Sequence, residues 1–147
     1  MLEGFLDWNR AVAAAKVAGL TLEEATRVAT PSGVTMLALL AHLAWAEDLW
    51  FSDRFQGGPT VTVENADSFV LEPSDSVDSV VAGYRAACDR SRAAVSGAGL
   101  DDLSMSDHPI YGRVTLRWIF VHLIEETARH AGHLDILREQ TDGRTGD

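Results

Sequence analysis

Four ionisable residues within 115–140, TLRWIFVHLIEETARHAGHLDILREQ, have the types and spacing to hold a metal ion. At about 100° per residue, His122, Glu126, His130 and His133 fall within an arc of roughly 80° on one side of a helix. Beside them Leu116, Phe120, Leu123, Ala131 and Leu134 form the apolar stripe with which a helix packs into a bundle. The two arcs touch, so the ionisable groups are expected to be partly buried, and such groups are normally paired or bound to a metal.

Glu126 and His130 are separated by one helical turn, about 6 Å of rise, and lean to the same side. A glutamate oxygen and a histidine nitrogen bind zinc at roughly 2.0–2.2 Å, and this pair leaves positions to be filled from another helix and by solvent. His42 stands in a stripe of Thr35, Ala38, Trp45, Ala46 and Leu49 that faces the core, which makes it the natural third ligand. Two other registers are workable, His122 with Glu126 and His130 with His133, and periodicity does not choose among them. Glu126 and His133 lie about 10 Å apart along the axis and are not expected to share one ion. A metal-free alternative is a buried network in which Glu126 and Arg129 or Arg138 satisfy neutral histidines.

The elements that must position these groups are helices. Residues 2–18 carry a helical apolar period that Gly19 stops, and Thr21 with Glu24 resembles a capping box for a short turn over 22–27. A second long helix is predicted from Val34 to about Gln56, with Ser32 as N-cap and Gly57, Gly58 and Pro59 as terminators. Residues 60–73 alternate briefly at Val61 and Val63 and read as a long crossover with a short extended piece. Ser74 or Asp75 is expected to cap a third helix running from Val77 until Gly97 and Gly99 end it. Residues 100–114 form a second irregular stretch in which His108 reads as solvated. Thr115 caps the last helix, Val114 and Ile119 form a hydrophobic staple, and Gly143 stops it. Four long amphipathic helices with negligible strand signal predict an all-α four-helix bundle with long crossover connections, a single domain over 1–147.

Composition narrows the function further. Twenty-two acidic against twelve basic residues, a net charge of -10, argue against binding a nucleic-acid backbone. Apolar runs such as MLALLA are too short to span a membrane, and the start, MLEGFLDWNR, lacks the features of a signal peptide, so a cytoplasmic location is expected. The single cysteine, Cys88, forms no internal disulfide and reads as a small buried apolar residue. Trp45, Trp50 and Phe51 read as core or dimer contacts.

The histidine in LLAHLAWAEDLWF, followed by LRWIFVHLIEETARHAGHLDILRE and then DGRTGD, resembles the DinB-like superfamily, and within it the DUF664 branch. The likeness runs nearly end to end and is most specific in the last helix. It implies a four-helix bundle with a divalent metal held by a histidine of the second long helix and a pair four residues apart on the last. Glu126 and His130 match the glutamate-bearing variant of that pair, found in the branch with the mycothiol-dependent maleylpyruvate isomerase, and His42 matches the remaining ligand. That isomerase has a further C-terminal domain with no counterpart here, so the expectation is the looser role of a thiol-dependent S-transferase using mycothiol or another low-molecular-weight thiol. The resemblance also implies a homodimer. The donor set suits zinc best, with nickel, iron and manganese as alternatives. On this reading His133 is the catalytic candidate, orienting the thiol or passing protons. Arg129 and Arg138, with Asp135, are candidates to recognise the sugar or carboxylate of the cofactor, against the alternative of an ordinary solvated face. The alternative function is a non-catalytic, divalent-metal-binding dimeric bundle with a role in stress.

Overall fold

Side-chain caps set where the helices begin in the computed structural model, which describes residues 1–58 and 61–146. Pro59, expected to help end the second long helix, Thr60 at the start of the expected crossover, and Asp147 lie outside the described residues. The elements are α1 (Leu2–Val17), α2 (Leu22–Ala25), α3 (Met36–Glu47) continued by a π-helical segment (Asp48–Phe55), a 3-10 turn (Asn65–Phe69), α4 (Val77–Ala94) and α5 (Leu116–Asp142). The expected all-α architecture is what forms, and among the described residues no helix is long and apolar enough to cross a membrane.

The caps at Thr21 and Thr115 and the left-handed stop at Gly143 stand where the sequence puts them. Two others shift. Thr35, not Ser32, caps α3, because its extended backbone lets Oγ1 accept the Ala38 N–H at 3.2 Å, whereas the Ser32 hydroxyl pairs with Thr30. Ser76, rather than Ser74 or Asp75, caps α4 through a reciprocal pair with Ser79, the Asp75 carboxylate being used to accept the Glu72 N–H. The crossover contains a 3-10 turn in place of an extended piece. Nor is the second long helix α-helical throughout: its last two turns widen to π geometry, with Trp50, Phe51 and Phe55 all buried. That pitch brings Trp50 and Phe55 towards one side, which the α pitch would hold further apart.

Two apolar clusters fill the bundle. One gathers Ala13 and Val17 of α1, Leu37 and Leu40 of α3, Val80 and Tyr84 of α4, and Leu134 and Leu137 of α5. The other gathers Leu6, Ala46, Phe51, Val95, Ile119, Phe120 and Leu123. Membership gives the directions: α1 and α5 run parallel, α3 and α4 run the other way, and the segment between α3 and α4 must travel back along the bundle. Between the clusters each long helix contributes a buried polar residue, Arg10, Glu47, Ser91 and Thr127. The Arg10 guanidinium donates to both Glu47 carboxylate oxygens at 2.7 and 2.5 Å and to Asp7 at 2.9 Å. Further along, Arg138 donates to the Lys16 carbonyl at 2.7 Å, and Lys16 pairs with Asp135 at 2.6 Å, strapping α5 to α1.

Candidate metal centre

The returning crossover lies over the seam between α3 and α5, and three donors meet beneath it. His42 is 3% exposed, and its Nε2 is 3.2 Å from Oε1 of Glu126. Nε2 of His130 is 3.1 Å from the same oxygen. One ligand atom from each of the three residues lies within 4.8 Å of the others, and no other such group of histidine, cysteine and carboxylate side chains occurs among the described residues. Helical spacing supplies Glu126 and His130, and packing of the α3 stripe supplies His42.

Around that trio the neighbours are specific. Nδ1 of His42 lies 2.7 Å from the Ser68 hydroxyl, and the Phe69 ring stacks on the imidazole at 4.1 Å and 9°. Trp45 covers the ring at 5.5 Å. Arg129 pairs with Glu125 and reaches Oε2 of Glu126 at 3.2 Å, leaving Oε1 to the histidines. Hydrogen bonding from His130 holds the Glu126 carboxyl far below the ordinary glutamate range, against the opposing pull of burial. An anionic oxygen flanked by two imidazole nitrogens is a donor set able to hold a divalent cation. Donors on one tetrahedral zinc stand about 3.4 Å apart, given bonds of 2.0–2.2 Å, close to the 3.1 and 3.2 Å separations here. The residues fit such an ion.

The other expected site residues fall elsewhere. His133 is exposed beside the trio, its Nδ1 3.4 Å from Nδ1 of His130. Arg138 is buried with its guanidinium on Asp142 and the Lys16 carbonyl, so the structure does not bring it to the trio. His122 is also outside it, stacked on Trp118 at 5.0 Å with its edge towards Trp50 at 4.7 Å. His108 is half-buried rather than solvated. Its loop folds back through paired hydrogen bonds with Gly112 and lays the ring on Trp50 at 5.2 Å. Cys88 is a core residue whose thiol burial pushes up to about 12, which removes it as a nucleophile. Ser68 and Phe69 are the contributors that sequence reasoning missed, since a serine and a phenylalanine in an aperiodic crossover give no signal of what they will cover.

Burial lowers the His122 pKa, so the folded protein favours the neutral ring. A depressed folded value means that this stabilisation is complete above the ordinary imidazole value of about 6.5 and is lost as pH falls from there through the lower folded value. Urea unfolding between pH 7.5 and 5.5 should therefore show stability falling with acidity, and His122→Phe should flatten part of that slope. An unchanged slope in the variant would refute the assignment.

Comparisons with known proteins agree with the architecture. A family model described as mycothiol-S-transferase matches residues 1–143. Among solved structures, a conserved protein from Enterococcus faecalis superposes with a TM-score of 0.72 at 16% identity, covering 97% of this chain and 96% of that one, a likeness of fold. No curated protein matches the chain.

Proposed function

Since the chain belongs to the mycothiol-S-transferase family, we propose that it joins the sulfur of mycothiol, or of a similar low-molecular-weight thiol, to an electrophilic carbon. His42, Glu126 and His130 would hold the divalent cation. The observation that carries this reading is the meeting of two imidazole nitrogens on one glutamate oxygen across the α3–α5 seam. A divalent cation bound there supplies the charge that favours the thiolate, the nucleophilic form, at neutral pH.

The chain's own residues do the rest. Phe69 and Trp45 flank His42 and keep water from that side of the donors. Arg129 holds the outer oxygen of Glu126, which fixes the carboxylate plane. His133, exposed beside His130, takes the proton that the thiol gives up. Sulfur forms the new bond to carbon. The bond that breaks leads to the acceptor's leaving group, or to its ring oxygen in an epoxide, which receives the electron pair and then the proton. Zinc is the cation proposed, and the reading includes a single-domain homodimer in the cytoplasm.

The test is metal analysis of protein purified without chelator, followed by thiol consumption with a bimane or an epoxide as electrophile. Expected are a stoichiometric cation, turnover with mycothiol, loss on chelation and recovery with zinc. Stoichiometric metal without turnover on any low-molecular-weight thiol would replace this reading with a non-catalytic metal-binding bundle.

A further inference from the structure

We propose that Ser68 is a positioning residue: anchored on the Asn65 carbonyl, it keeps the proton of His42 on Nδ1 and so presents Nε2 to the trio as a bare electron pair. The inference rests on reading the trio as a metal centre, and it concerns a segment that contributes no ligand.

A count of protons carries it. Ser68 is 7% exposed, and its Oγ lies 2.6 Å from the Asn65 carbonyl oxygen and 2.7 Å from Nδ1 of His42. A carbonyl can only accept, and a hydroxyl has one proton to give. That proton goes to Asn65, so Oγ must accept from His42, whose neutral ring then carries its hydrogen on Nδ1. Nε2, 3.2 Å from Glu126, is left as the lone pair that a cation needs. The Phe69 ring, stacked at 4.1 Å and 9°, opposes tilting of the imidazole out of this plane.

Without Ser68 the balance reverses. Glu126 Oε1 is then the one strong acceptor beside the ring, and the His42 proton moves to Nε2, the atom that should bind metal. In wild type Oε1 has a second source of a hydrogen bond in Nε2 of His130, 3.1 Å away, so it does not need the His42 proton. The 3-10 turn of the crossover therefore places a proton as well as a wall.

Two measurements decide the matter, long-range proton–nitrogen NMR of His42 in metal-free protein and zinc affinity by chelator competition, on wild type, Ser68→Ala and Ser68→Thr. Expected are an Nδ1–H ring in wild type, a shift to Nε2–H in Ser68→Ala with zinc bound roughly 10- to 100-fold more weakly, and recovery of both in Ser68→Thr. Melting of the metal-free proteins controls for folding. An Nε2–H ring in wild type, or a Ser68→Ala protein with unchanged tautomer and affinity, overturns the proposal. Should wild type take up no zinc, the functional reading falls, while the tautomers alone still judge the role of Ser68.

Discussion

His130→Ala is expected to be purified without its stoichiometric cation and to consume thiol at least about 30-fold more slowly at pH 7. The factor follows from a free thiol of pKa about 8.5, only a few per cent of which is thiolate at that pH. Removing one of two imidazole donors leaves a carboxylate and a single ring across the α3–α5 seam, too few protein ligands to hold the ion. Glu126→Gln should behave alike, because it discards the anionic oxygen that both rings face. His122→Ala separates the possible registers. His122 packs between Trp50 and Trp118, away from the trio, so that variant should keep its metal. Metal retained at wild-type affinity in His130→Ala, or lost in His122→Ala, would place the centre elsewhere.

Glu47→Ala is expected to remove about 3–5 kcal/mol of stability, the usual cost of stranding one member of a buried ion pair. Glu47 is 1% and Arg10 5% exposed, so water cannot replace the lost carboxylate. Burial alone would lower the Arg10 pKa, but the hydrogen bonds and charge of Glu47 outweigh it and keep the guanidinium charged. After the substitution that charge is left with Asp7 alone. At about 2–4 °C per kcal/mol for a chain of this size, the melting temperature should fall by at least about 6 °C. An apolar pair, Arg10→Met with Glu47→Leu, should recover most of the loss, since the penalty belongs to the unpaired charge. A Glu47→Ala protein melting within a degree or two of wild type would show the pair to be better hydrated than its burial implies.

Helix spacing is the part of this molecule that its sequence states most directly. Glu126 and His130 are neighbours by the geometry of one helix, whatever the rest of the chain does, and the cap at Thr115 fixes where that helix begins. His42 was legible for a weaker reason, a polar ring inside an apolar stripe. Contacts that depend on the path of the chain were not. Ser68 reaches His42 because a crossover without periodicity happens to turn there, and Arg138 turns from the site because its partners are Asp142 and a carbonyl at the end of α1. The cap of α4 was expected at Ser74 or Asp75 and stands one residue beyond them at Ser76, because Asp75 serves the Glu72 N–H while Ser76 pairs with Ser79.

Although α1 gives no donor to the trio, it acts as the gauge against which the other two helices are set. Its Arg10 clasps Glu47, which lies on α3 about 7.5 Å along the axis from His42. Its Lys16 meets α5 twice, through the side chain to Asp135 and through the carbonyl to Arg138. Slippage of α3 or α5 by a single turn, about 5.4 Å, would break one of these clasps and carry His42 out of reach of Glu126. The height at which two helices bring their donors together is thus measured off along a third that supplies none of its own.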